Sequence, residues 1–136
     1  ALQNLGAVEV DLGETSGWAL PDDLEPETGS EPWVSFLPGL DPTPMGFVDR
    51  RWFLGEHAPR LFDRTGNIGP TIWTDGRVVG GWAQRKNGTL AYKLLEDVGA
   101  AAERAVESAA HDLECWLGPV YVTPRFRTPL ERELSA

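Results

Sequence analysis

The chain opens on a short apolar stretch that ends at Gly6, the pattern of a helix end closed by a glycine. Val8-Glu9-Val10-Asp11-Leu12 then alternates apolar and acidic residues, the period-two signature of a half-buried strand. Residues 13–17 carry turn residues, and Trp18-Ala19-Leu20 reads as the returning strand. Residues 21–32 are acidic and rich in Pro, Gly and Ser, the composition of a linker. Trp33-Val34-Ser35-Phe36-Leu37 follows as a buried-type strand. Three prolines exclude regular structure over residues 38–44, because proline fixes φ and removes a donor. A short helix is expected over 45–54. A long loop is expected over 55–70, with one helical turn at 58–62.

Two hairpins are the sharpest local signals. Asp75-Gly76 joins Ile72-Trp73-Thr74 to Arg77-Val78-Val79, and Asn87-Gly88 joins residues 82–86 to 89–95. Both dipeptides favour the type I′ turn, whose two central residues need positive φ. The pair predicts a three-stranded meander. Gly80-Gly81 inside its middle strand predicts a bulge and a strongly coiled sheet. Apolar residues at spacings of three and four, from Val98 to Leu117 and including Trp116, predict a helix over 100–117. Asp97 is its expected N-cap, and Gly118-Pro119 its stop. Val120-Tyr121-Val122 reads as a last strand, and residues 125–136 as a charged, extended arm. The expected fold is α+β: a curled, mainly antiparallel, barrel-like sheet covered by one long helix. The helix-and-hairpin end of a winged helix precedes it, with units at 1–24 and 33–136 joined by a linker at 25–32.

The composition supports a packed core, since 41% of the 136 residues are hydrophobic and six are tryptophan. No apolar run approaches the ~20 residues that span a bilayer, so no membrane partner is expected. Residues 1–10 have neither the basic start nor the long apolar run of a signal peptide. The chain begins without methionine, as a trimmed piece of a longer protein would. One cysteine, Cys115, allows no internal disulfide, and a cytoplasmic setting is the natural reading.

The net charge of −9 argues against tight binding to phosphate backbones by the chain as a whole. The charge is uneven, however. Residues 45–93 carry four acids (Asp49, Glu56, Asp63, Asp75) against eight bases, a local charge of +4. If nucleic acid is met, the middle segment meets it; the plainer reading is a solvated surface.

No constellation for catalysis emerges. His57 and His111 are the only histidines, and they form no metal-ligand spacing, so neither metal nor cofactor is expected. Cys115 falls near the C-terminal end of its helix, where the dipole disfavours a thiolate, and reads as structural. The glycine pairs Gly13/Gly17 and Gly66/Gly69 lack a phosphate-loop lysine and read as turns. Asp41 and Asp49 offer a carboxylate pair; the plainer reading has Asp41 capping a turn and Asp49 pairing with a neighbouring arginine. Arg50, Arg51, Arg64, Arg85, Lys86 and Asn87 are the DNA-contact candidates. Arg85, Lys86 and Asn87 lead, because a tight hairpin tip projects from its sheet and fits a groove.

Several stretches together resemble a known family. Phe36-Leu37-Pro38-Gly39-Leu40-Asp41-Pro42-Thr43 is similar to its LLP-x-x-DP signature. Asp49-Arg50-Arg51, Leu61-Phe62-Asp63-Arg64-Thr65-Gly66-Asn67, Gly69-Pro70-Thr71-Ile72-Trp73 and Asp75-Gly76-Arg77-Val78-Val79-Gly80-Gly81-Trp82 follow in order, and Thr123-Pro124-Arg125-Phe126-Arg127-Thr128-Pro129-Leu130 resembles its ending. These match the C-terminal part of winged-helix DNA-binding proteins of actinobacterial type. That superfamily contains DNA glycosylases acting on alkylated purines and interstrand crosslinks. The resemblance implies a β-barrel-like C-terminal domain, upstream winged helices in the same chain, and DNA as the partner of the full-length protein. The superfamily's catalytic signature is Gln-hydrophobic-Gln or Gln-hydrophobic-Asp. Here Gln3 and Gln84 are followed two places on by Leu5 and Lys86, so the signature is absent and no catalytic residue carries over. The reading is a non-catalytic, DNA-engaging or scaffolding domain. The alternative is an interaction or packing module of a winged-helix transcription regulator.

Overall fold

The computed structural model describes residues 2–13, 15–25, 29 and 31–136. They form two compact units, Ala1–Glu31 and Pro32–Ala136. In the first, a 3-10 turn over Leu2–Leu5 ends at Gly6, whose φ of +65° is the left-handed conformation of a helix-closing glycine. Strands β1 (Val8–Asp11) and β2 (Ser16–Ala19) then pair antiparallel, Val8 opposite Ala19 and Asp11 opposite Ser16. The Asp11 carboxylate accepts from Gly13 N at 2.8 Å, and the Ser16 hydroxyl donates to Glu9 at 2.7 Å. Glu14, within the turn expected over residues 13–17, lies outside the described residues. The expected linker starts with a 3-10 turn at Pro21–Asp23.

The second unit is built on an antiparallel meander: β3 (Val34–Leu37), β4 (Thr71–Thr74), β5 (Arg77–Gln84) and β6 (Leu90–Leu94), in that spatial order. Among the described residues the sheet is open, with β3 and β6 as its edges, so no closed barrel forms. The double glycine marks an irregularity, as expected. Ile72 faces Gly80 but Trp73 faces Val78, so Val79 is the extra residue of a bulge. Both glycines are there because nothing larger fits. A Cβ on Gly80 would sit 2.4 Å from the Lys93 carbonyl oxygen, and one on Gly81 2.7 Å from Leu130.

Strand alternation sends Val78 and Val79 to opposite faces of the sheet, into different cores. On one face Ile72, Val79 and Val106 pack with Val34, Phe36, Trp82, Leu94 and Val98. On the other, Phe53, Leu54, Leu61, Ile68, Trp73, Val78 and Leu130 form the larger cluster. Each fully buried side chain of this size contributes about 1.5–3 kcal/mol relative to exposure. Helix α4 (Gly99–Leu117) covers the first face, reaching both edge strands. Three short helices cover the second: α2 (Arg51–Leu54), α3 (Ala58–Leu61) and α5 (Pro129–Leu134). The structure thus adds a second helical layer to the single covering helix expected.

Local departures have local causes. Asp41 accepts from Thr43 N at 2.9 Å and starts α1 (Pro42–Gly46), a helix where the prolines predicted none; Pro42 is tolerated because its missing N–H has no partner in a first turn. The expected helix over 45–54 is therefore two pieces, α1 and α2. Asp75 and Gly76 both have positive φ, +47° and +83°, as type I′ requires. The second hairpin differs: Asn87 is not left-handed, Gly88 N donates to Arg85 O, and Arg85 N donates to Thr89 O, a three-residue loop with Gly88 at φ +89°. Asp97 binds Gly99 N at 2.8 Å, but the N-cap of α4 is Val98. Residues 120–122 form no strand, and the expected extended arm contains α5, anchored by Leu130 at 1% exposure. Thr128 and Glu131 close α5 with a reciprocal capping box.

Candidate nucleic-acid interface

The hairpin tip brings Arg85, Lys86 and Asn87 together, but gives them different work. The Asn87 side-chain oxygen accepts from Thr89 N at 3.1 Å and from the Thr89 hydroxyl at 2.8 Å, so it shapes its own turn. Arg85 turns back and donates from Nε to the Leu134 carbonyl at 3.3 Å, bracing the last turn of α5. Lys86 is exposed and makes no hydrogen bond or ion pair among the described residues. Its ammonium is the cation this tip presents.

The other basic candidates fall on the α1–α2–α3 side. Arg50 donates from Nη1 to the Pro44 carbonyl at 2.8 Å, and its guanidinium lies 4.5 Å from the Phe62 ring centroid. It is half-buried and ties α1 to the segment after α3. Arg51 is exposed at the start of α2, and Arg64 is exposed in the turn after Asp63. Asp63 holds that turn: its carboxylate accepts from Asn67 N and Nδ2 and from Thr65 N and Oγ1 at 2.8–3.0 Å. The Asn67 backbone N–H, then the Asn67 amide and Thr65, hold its pKa down to about 2. Asp49 is exposed and forms no ion pair among the described residues, contrary to expectation.

The chemistry-bearing residues are otherwise structural. His57 Nε2 lies 2.8 Å from Glu96, which Arg77 also approaches at 3.4 Å. Cys115 is exposed, not buried as a structural cysteine would be, with its Sγ 3.6 Å from His111 Nε2 one turn earlier. Among the described residues no group of three His, Cys, Asp or Glu could hold a metal, and no helix is long and apolar enough to cross a membrane.

One feature escaped the sequence reading: a mainly apolar groove of about 680 Å³ within the second unit. Leu113, Trp116 and Leu117 of α4 form one wall, Phe36 and Trp82 of the sheet another, and Val122 and residues 124–127 border it. Trp116, expected in the apolar face of α4, is 80% exposed. Glu131 also lines it, and burial raises its carboxyl pKa against the hydrogen bond from Thr128 N. Neither helical periodicity nor strand alternation signals a groove made by an irregular segment folding back.

No curated protein and no solved structure matches the chain. A sequence model described as DNA glycosylase AlkZ-like matches residues 1–116, a span covering β1 to β6 and α4 as far as Trp116. The chain therefore belongs to the AlkZ-like DNA glycosylase family.

Proposed function

We infer that this chain serves as a non-catalytic, DNA-engaging or scaffolding C-terminal domain of a winged-helix protein related to DNA repair glycosylases. Family membership carries the link to DNA. The non-catalytic half rests on the absent Gln-hydrophobic-Gln/Asp signature and on the site chemistry. The carboxylates of Asp41 and Asp63 are spent on turns, and His57 is held by Glu96. DNA is engaged weakly through exposed cations, with Lys86 at the hairpin tip leading and Arg51 and Arg64 contributing. The upstream winged helices of the parent supply most of the affinity, and a bacterial cytoplasm suits a DNA partner. The curled sheet plays the part of the family's barrel-like domain.

The packing-module reading is favoured by one observation: Phe47, Val48 and Trp52 are 52%, 102% and 64% exposed on consecutive short segments. A base-release assay on duplex DNA carrying alkylated purines tests the first reading. The purified chain is expected to release no base above a heat-inactivated control, and release above that level overturns the non-catalytic assignment.

A further inference from the structure

Residues 123–127 read Thr-Pro-Arg-Phe-Arg, an exposed phenylalanine between two arginines. The segment belongs to no helix or strand, yet it is fixed at both ends. Before it, the Gln84 side chain holds Val120 and Val122 by 2.7 and 3.1 Å hydrogen bonds. After it, Thr128 caps α5. So fixed, the segment borders the apolar groove and places Phe126, 61% exposed, along the same groove as the exposed indole of Trp116. Arg125 stacks 5.7 Å from the Phe126 ring, and Arg127 lines the groove beside it.

The lining adds a polar anchor. Glu131 is 4% exposed, and its Oε2 accepts from Thr128 N at 3.0 Å. Its Oε1 makes no hydrogen bond among the described residues, and no fully buried side-chain oxygen there lacks a partner. Glu131 thus brings a carboxylate to the lining, with Arg127 as a charged neighbour. Asp63, the other acid of the lining, has both oxygens occupied by Thr65 and Asn67.

We propose that this groove is a binding site for a single unpaired nucleobase, stacked by Trp116 and Phe126, with Glu131 accepting from an amino edge and Arg125 and Arg127 facing the flanking phosphates. An apolar slot alone would take many ligands. The arginines flanking the aromatic and the Glu131 carboxylate of the lining select a flat ring that carries donors and is attached to anions. The inference rests on the DNA-engaging reading above, but concerns residues that the family match leaves mostly uncovered, since that match ends at Trp116.

The test titrates the full chain with four probes: a mixed-sequence single-stranded octanucleotide, an abasic oligomer of equal length and charge, a blunt duplex, and anilinonaphthalene sulfonate. The octanucleotide is expected to bind about tenfold tighter than the abasic oligomer and to quench tryptophan fluorescence. Trp116→Ala and Phe126→Ala, both at exposed positions, are each expected to weaken that binding about fivefold or more while leaving duplex affinity unchanged. Equal binding of the octanucleotide and the abasic oligomer, with duplex binding intact, overturns the groove assignment alone. So does occupation of the groove by anilinonaphthalene sulfonate without any octanucleotide preference, which marks an apolar contact surface. Failure of every nucleic-acid probe overturns both this proposal and the DNA-engaging reading.

Discussion

Gln84 accepts a hydrogen bond from Val122 N at 3.1 Å while donating to Val120 O at 2.7 Å, so one side-chain amide replaces the strand partner that residues 120–122 lack. An amide offers a donor and an acceptor at nearly the spacing of a peptide group. The side chain is 8% exposed, so water is a poor substitute. Replacing Gln84 with Leu is expected to cost about 1–3 kcal/mol, because the backbone groups of Val120, Val122 and Gly88 lose their partner. Denaturant unfolding checks the loss, and hydrogen exchange at the Val122 amide should accelerate before the core amides do. An unaltered midpoint with unaltered exchange at Val122 contradicts the assignment.

Gly80 tests the bulge. A methyl group there meets the Lys93 carbonyl oxygen at 2.4 Å, a backbone atom held in the β5–β6 ladder. Gly80→Ala is expected to destabilise by about 1–3 kcal/mol. Gly46→Ala is the control, because a methyl group there meets nothing within 4 Å. Thermal unfolding of the two variants should separate them clearly, and equal midpoints would contradict the close approach.

These two sites show what the sequence disclosed. Gly80-Gly81 announced the bulge, and Asp75-Gly76 announced its turn, because both are local backbone demands that only certain residues meet. The meander and α4 followed from periodicity for the same reason. The bracing role of Gln84 is invisible in the sequence, since Val120 and Val122 lie 36 and 38 residues away and nothing in a lone glutamine names them. The tail departs from its pattern for a related reason: Arg125, Arg127, Glu131, Arg132 and Glu133 read as a solvated arm, whereas Leu130 and the Thr128–Glu131 capping box fold it onto the sheet. Among the site candidates, exposure at Lys86 was legible, but the retreat of Arg85 and Arg50 into backbone contacts was not.

Asp63 makes stability depend on acid. Its carboxyl sits at about 2 against an ordinary 3.8, so the native state releases this proton more readily than the unfolded chain. The stabilisation is present above about pH 4 and is lost as pH falls towards 2. Asp63→Asn removes the charge throughout, so its unfolding midpoint should trail the parent at pH 6 and converge on it near pH 2. A constant gap across that window would show that the Thr65 and Asn67 hydrogen bonds do not favour the ionised form.

Arg85 and Lys86 are neighbours with separable roles. Arg85→Ala removes the bond to the Leu134 carbonyl and is expected to lower stability by up to about 1 kcal/mol. Lys86→Ala is expected to leave the unfolding midpoint within about 0.5 kcal/mol of the parent, as at an unengaged surface site. Equal destabilisation by the two would contradict the division.

The central claim, weak DNA engagement through exposed cations, is tested most directly by titrating labelled duplex DNA with the chain across a salt series. The account predicts an affinity no better than about 10⁻⁶ M at physiological salt, strengthening as salt falls, with Lys86→Ala lowering the log–log salt slope by about one for one lost phosphate contact. Absence of binding at every salt concentration, or a slope unchanged by Lys86→Ala, would contradict it.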